Sequence, residues 1–206
     1  MNKQALVEFA RVAILGAEAV ADNQRTAHFK RVEQGVGYAF DLLLSQIPVD
    51  DDGKSQIEQY YVKHYYNQLV KEATNGYRYV GVSDAIVPVG EGRGVWYVQP
   101  SGGGKPMAQA KRPSTALYRN LPIGKAINET YWRLGNVATN LQIVLEHIGD
   151  SPLVDIRKID YGVVRSFSSY EDTEEVRIPG GRSEVLINLV REWFGKSYTD
   201  VINNNK

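Results

Sequence analysis

The sequence predicts an α+β fold with its helices segregated from a run of antiparallel strands. Three observations lead there. Apolar residues recur at three- and four-residue steps through the first 76 residues, the period falls to about two after Gly76, and helical spacing returns only at Ser183 to Phe194. A length of 206 residues suits one domain with elaborations or two small ones. The expected organisation is a helical region at 1–76, an antiparallel sandwich- or barrel-like β region at 77–179, and a C-terminal helix and tail at 180–206.

The first helix is expected over 3–21, where Leu6, Phe9, Ala10, Ala13 and Ala17 make one apolar face. Asp22-Asn23 turns the chain into a second helix striped by Phe29, Val32, Val36, Phe40, Leu43 and Ile47, and Pro48 forbids its continuation. A third helix is expected from about Ser55 to Ala73. The acids Asp50-Asp51-Asp52 precede it, Ile57, Tyr61, Tyr65 and Leu69 line it, and Asn75-Gly76 closes it. Short connections make these segments a helical hairpin or a three-helix layer.

Strand signals follow at Tyr77–Val82, Ile86–Val89 and Val95–Val98. From Ser101-Gly102-Gly103-Gly104 to Arg112-Pro113 the chain is rich in Gly, Pro and basic residues, which predicts a long flexible excursion spanning 99–125. Strands resume at Ala126–Leu134, turn at Gly135-Asn136, continue through Thr139–Leu145, and return at Val154–Ile159 and Gly162–Phe167. A short amphipathic helix closes the fold. Ser183 is its expected N-cap, Val185, Leu186, Leu189, Val190 and Trp193 form its apolar face, and Gly195 is its expected stop.

Composition excludes several chemistries. There is no cysteine, so disulfides, thiolate metal sites and a cysteine nucleophile are all ruled out. The longest unbroken apolar runs, Val12–Leu15 among them, are four residues, too short for a membrane span, and the opening Met1-Asn2-Lys3-Gln4 lacks the pattern of a secretory signal, so synthesis and first residence in the cytoplasm are expected. Lys plus Arg and Asp plus Glu are 24 each, but the balance is uneven along the chain. Gly92 to Asn128 contains Arg93, Lys105, Lys111, Arg112, Arg119 and Lys125 and no acid. Neutralisation must therefore come from elsewhere in the fold, from a partner or from a polyanion.

Catalytic and ligand motifs fail on inspection. Ser101-Gly102-Gly103-Gly104-Lys105 lacks the upstream glycine and the following Ser or Thr of a phosphate loop, having Gln99 and Pro106 in those places. Asp50-Asp51-Asp52-Gly53 would place Pro48 and Gln59 at the key ligand positions of a calcium loop. His28, His64 and His147 fall in separate segments without metal-ligand spacing, and no serine sits in a nucleophile elbow. Glu171-Asp172-Glu174-Glu175 reads as a solvated acidic loop. No enzyme, cofactor or metal site is expected.

What stands out is Tyr60-Tyr61-Val62-Lys63-His64-Tyr65-Tyr66, four tyrosines in seven residues. On a helix they would point to more than one side, so either two are core and two simply exposed, or the surplus covers a neighbouring domain or a neighbouring subunit. Tyr60, Tyr61, Tyr65, Tyr66 and Trp193 are therefore the candidate subunit-interface residues. The basic set Arg93, Lys105, Lys111, Arg112, Arg119 and Lys125 would meet a polyanion or a partner, the acidic 171–175 loop of a neighbour among them. A different class of function, a non-enzymatic glycan-binding β domain with a helical appendage, is suggested by Trp96, Tyr97, Tyr131 and Trp132, whose rings could stack on sugars.

Several passages together resemble the ring or neck (head-to-tail adaptor) proteins of tailed bacteriophages, most nearly those of crAss-like phages. These are the arginine-bearing helix around Asp22-Asn23-Gln24-Arg25 and Arg31, the acidic stretch and aromatic helix after it, and the strand pair Ile86-Val87-Pro88-Val89 and Arg93-Gly94-Val95-Trp96-Tyr97-Val98. They continue with Tyr131-Trp132-Arg133-Leu134-Gly135-Asn136, then Val154-Asp155-Ile156-Arg157-Lys158-Ile159, and lead through an acidic loop to Ile178-Pro179 and the terminal helix. The basic excursion at 99–125 has no clear counterpart. The resemblance implies a structural virion protein made in the host bacterial cytoplasm, forming a ring of roughly a dozen copies stacked between portal and tail around the DNA channel. Its implied partners are copies of itself, the portal, other neck and tail proteins, and genomic DNA through non-specific contact.

Overall fold

The fold is α+β: two N-terminal helices, two mostly antiparallel sheets of three and five strands, and a C-terminal helix that packs on the second helix. The computed structural model describes residues 1–16, 25–48, 59–74, 76–89, 94–110, 129–137, 140–148 and 156–203. Internal contacts divide the chain into two units. One comprises Met1–Ile57, Val87–Gly92 and Arg165–Lys206; the other comprises Glu58–Ile86 and Arg93–Val164.

The first unit is built on helices α1 (Lys3–Leu15), α2 (Arg25–Ser45) and α3 (Ser183–Asn203). Asn2 caps α1, its Oδ1 accepting from Ala5 N at 2.8 Å, and Gly16 ends it at φ 80° with its N–H donating to Val12 O. The helix thus stops short of residue 21, and 17–24 lie outside the described residues. Its buried face is Lys3, Leu6, Val7, Ala10 and Arg11, rotated from the expected stripe, so Phe9 is exposed. In α2 the expected residues Val32, Val36, Phe40 and Leu43 are buried, joined by Ala39 and Leu44.

Among the described residues three cations are buried in this unit, Lys3, Arg11 and Arg165. Arg11 is 1% exposed, and its guanidinium donates to Glu8 through Nε at 2.9 Å and Nη2 at 2.5 Å. Lys3 Nζ donates to Tyr170 O at 3.1 Å and pairs with Glu33 at 3.0 Å and Asp172 at 3.7 Å. Backbone bonds from Lys3 N to Glu174 O, Gln4 N to Asp172 O and Val176 N to Met1 O stitch the N-terminus to the same segment. Asp41 on α2 accepts from Ser166 Oγ at 2.5 Å and Phe167 N at 2.8 Å, fixing a 3-10 turn at Phe167–Ser169.

In the second unit, the three-stranded sheet has the order β1 (Val62–Leu69), β8 (Lys158–Val164), β4 (Val95–Pro100). The five-stranded sheet runs β2 (Lys71–Glu72), β3 (Arg78–Gly81), β7 (Asn140–Ile148), β6 (Glu129–Val137), β5 (Ala108–Gln109). All pairs are antiparallel except β5 with β6. Both sheets supply one core, Val98, Ile159, Tyr161 and Val163 from the first meeting Val80, Trp132, Ile143 and Leu145 from the second.

Several expectations are corrected here. Over the described residues 59–73 the expected third helix does not form: a 3-10 turn at Gln59–Tyr61 leads into strand β1, so the aromatic segment is a strand and not a helix. The Tyr61, Tyr65, Leu69 spacing also contains a two-residue alternation of His64 and Tyr66 against Lys63 and Tyr65, and pairing with β8 selects that one. Gly76, at φ 79°, makes a tight turn between β2 and β3 instead of a helix cap, and 50–58 lie outside the described residues. Gly135-Asn136 sits inside β6, and the hairpin reverses between Val137 and its partner Asn140. The two strands expected at 154–159 and 162–167 are one, β8, with Gly162 in its middle. Ile86–Val89 is no extended ladder strand, and Gly195 continues α3 because its φ is not positive. The 99–125 excursion is anchored at its start: Gln99 and Pro100 end β4, Met107 N donates to Val98 O at 2.7 Å, Met107 packs on the core, and Ala110 N donates to Trp132 O. Residues 111–128 lie outside the described residues.

Helix α3 approaches α2 at Gly35, where an added Cβ would stand 2.9 Å from Trp193 Cε3 and 3.1 Å from Val190 Cγ1. At Gly195 nothing lies within 4 Å of the same position. A glycine-to-alanine change gains about 1 kcal/mol of helix propensity at either place, but overpacking costs about 1–3 kcal/mol at the first. Gly35→Ala is therefore expected to lower Tm by a few degrees and Gly195→Ala to raise it. Thermal melts of the two variants check this; a raised Tm for Gly35→Ala would refute the close packing.

Candidate functional site

Strand β8 has neighbours on both edges, and its residues alternate between the inter-sheet core and the opposite face of the three-stranded sheet. Ile159, Tyr161 and Val163 point into the core, which leaves Asp160 and Gly162 on the other face. Register places His64 of β1 and Tyr97 of β4 opposite Gly162, and Gln99 opposite Asp160. Gly162 is needed for close approach: an added Cβ would lie 2.7 Å from Tyr97 Cε1 and 2.9 Å from Val62 Cγ1. Tyr97 therefore lies across the strand. Its hydroxyl meets His64 Nδ1 at 3.1 Å, and the His64 ring stacks beside Tyr66 at 17° with centroids 6.3 Å apart.

Below these rings is a carboxylate. Asp160 is 9% exposed, and its Oδ1 accepts from Ser101 Oγ at 2.5 Å and from Asn67 N at 2.8 Å. Asn67 is at φ 55°, in the irregularity where β1 shifts register between Tyr65 and Gln68. The Ser101 hydroxyl first, then the Asn67 amide, hold the Asp160 pKa below the ordinary carboxylate value against the opposing effect of burial, with help from Gln99. Among the described residues no cation is within salt-bridge distance of Asp160. Burial raises the Tyr97 pKa, and so does the proximity of Tyr66 and Asp160. The face therefore combines aromatic rings with a fixed negative charge.

The sequence-nominated tyrosines scatter. Tyr60 is half-buried in a 3-10 turn and meets buried Tyr61 edge-on at 5.7 Å. Tyr65 turns into the core side, stacks on Tyr161 at 4.9 Å and donates to Asp84. Burial pushes the Tyr161 pKa up to about 12, so its hydroxyl stays neutral facing Gly81 O. Tyr66 alone of the four is exposed, at 60%, and Leu69 further along the same edge is 64% exposed. Trp193 is half-buried in the first unit against Gly35. Of the basic candidates Lys105 is exposed; Arg93, Lys111, Arg112, Arg119 and Lys125 lie outside the described residues. The acidic loop is engaged within its own chain, Asp172 with Lys3, Glu174 with Arg165 and Glu175 with Arg177.

The four aromatic residues nominated for sugar stacking do not form one platform. Trp132 is buried, its Nε1 donating to Met107 O at 3.0 Å, Tyr131 belongs to the five-stranded sheet, and Trp96 and Tyr97 belong to the other. Of the histidines, His64 joins the aromatic face, His147 meets Thr130 Oγ1 at 3.0 Å, and the His28 side chain lies outside the described residues. Among the described residues no three His, Asp or Glu side chains gather as a metal site, and no helix is long and apolar enough to cross a membrane. No protein-family model matches the chain, and no curated protein matches it at a significant level.

Asp160 generates a pH prediction. Its folded pKa is depressed, so its contribution to stability is present above the ordinary value near 3.8 and lost as the pH falls through the depressed one. Asp160→Asn is expected to flatten the decline of unfolding free energy below about pH 4 and to lower stability at neutral pH by about 1–3 kcal/mol. Urea titrations across acid pH check it; an unchanged acid slope would show that Asp160 does not carry that linkage.

Proposed function

We propose that this protein is a non-enzymatic structural component of a tailed-phage virion, assembling into a closed ring in the neck between portal and tail and surrounding the DNA channel. The observation that carries the reading is strand β1. It is an eight-residue edge of its sheet, with no strand paired to its outer side among the described residues, and it presents Tyr66 and Leu69 to solvent. Long edge strands with apolar surface are templates for association unless they are covered. A head-to-tail contact between such an edge and a different surface of the next copy closes into a ring when its rotation allows. The sequence passages similar to neck proteins supply the virion context. In that setting the stretch from Gly92 to Asn128, with six cations and no acid, suits weak, sequence-independent contact with phosphates, since base readout would obstruct passage of DNA.

Native mass measurement and electron microscopy of the purified chain, alone and with its portal, test this. A discrete ring of roughly a dozen copies is expected. A chain that stays monomeric beside the portal and is retained on immobilised glycan would favour the sugar-binding alternative and refute the ring.

A further inference from the structure

We propose that the face of the three-stranded sheet formed by His64, Tyr66 and Tyr97 over Asp160 receives a lysine or arginine side chain from the basic stretch 105–125 of a second copy. This rests on the ring reading above and names the contact that would join one copy to the next.

The face is suited to a cation. The π faces of aromatic rings attract ammonium and guanidinium groups, the more so as water is excluded. Here His64 and Tyr66 stack, Tyr97 packs against Gly162, and Tyr66 stays exposed. Asp160 adds a negative charge whose hydrogen bonds come from Ser101, Asn67 and Gln99, all neutral donors. Those bonds leave its charge uncompensated among the described residues. Lys63, the nearest cation in sequence on β1, points to the other face, pairing with Asp84 at 3.4 Å.

Charge complementarity selects the occupant. Lys105, Lys111, Arg112, Arg119 and Lys125 stand in a stretch with no acid of its own, and the acidic 171–175 loop is already engaged by Lys3, Arg165 and Arg177. The stretch starts where the chain leaves β4 of the three-stranded sheet, Met107 N donating to Val98 O, and passes to the other sheet, Ala110 N donating to Trp132 O, before Glu129 begins β6. The aromatic face is the side of the three-stranded sheet turned away from the shared core. On the ring reading the contact is made in trans and is heterologous, the arrangement a ring requires.

The experiment uses the full chain and sedimentation velocity over a concentration series at low and high salt. Tyr66→Ala and the charge reversal Lys111→Glu with Arg112→Glu are each expected to weaken self-association roughly tenfold or more, and Tyr66→Phe to retain it. High salt is expected to weaken the wild type toward the variants. Mixing the two defective variants is expected to yield dimers that neither forms alone, because one keeps an intact face and the other an intact basic stretch. Should Tyr66→Ala fail to fold, the charge reversal decides. Wild-type-like assembly by the charge-reversal variant overturns this proposal and leaves the ring standing. A wild-type chain that never assembles, even with its portal, overturns both. Retention of wild type but not Tyr66→Ala on immobilised glycan would assign the face to sugar and overturn the proposal.

Discussion

Nine consecutive residues, Ile159 to Phe167, are buried, and four of them, Asp160, Gly162, Arg165 and Ser166, do not have apolar side chains. That run constrains the rest of the structure. Backbone groups of β8 are satisfied by β1 on one edge and β4 on the other, but each buried polar side chain needs its own partner, since an unmet one costs several kcal/mol. Ser101 and Asn67 answer Asp160, Glu174 answers Arg165, and Asp41 answers Ser166. The turn after β4, the irregularity in β1, the acidic loop and the register of α2 each supply a partner to this one segment.

The requirement at Asp160 also shapes the open face of the sheet. To bring the Asn67 amide to the carboxylate, β1 takes an extra residue and a left-handed Asn, an arrangement that raises local twist. Along the same strand Val62 is buried and Tyr65 packs on the core, whereas His64, Tyr66, Asn67 and Leu69 are exposed. Gly162 admits the Tyr97 ring, whose hydroxyl then reaches His64. Neighbouring positions in the β8 ladder thus set both the charge and the aromatic covering of the face.

Much of the fold was legible because local and tertiary preferences agree. The stripe of α2 gave Val32, Val36, Phe40 and Leu43 as core, and Val95–Val98 lies in β4. Legibility failed where two periodicities coexist. In β1 the four-residue spacing of tyrosines overlaps an alternation of faces, and only the presence of β8 decides between them, which is long-range information. It failed again at glycines. Gly135, Gly162 and Gly195 read as punctuation, yet Gly162 makes room for a ring, Gly135 lies close against Val144 and Arg133, and Gly195 stays helical. The candidate site was legible only in part. Tyr66 was named among four tyrosines, but Asp160 was hidden as one acid in Lys158-Ile159-Asp160-Tyr161-Gly162-Val163-Val164. Its signal was a charged residue inside an apolar strand, which has to be buried with partners or mark an edge.

The equality of 24 basic and 24 acidic residues conceals a separation of charge. In the first unit the buried cations Lys3, Arg11 and Arg165 each hold a nearby carboxylate, because an unpaired buried charge would be far more costly than the pair. Those local demands engage Glu8, Glu33, Asp172 and Glu174. Cations therefore accumulate in the one stretch that carries no acids, between Gly92 and Asn128, while Asp160 keeps a charge that its hydrogen-bond donors do not cancel. Coulomb attraction between exposed groups is weak in water and strengthens as they are desolvated. On the proposed reading, association brings the stretch and the aromatic face together and excludes water as it forms. The interaction then contributes most in the assembled state and little in the free chain, as a component needs if it is to remain soluble until its neighbours are present.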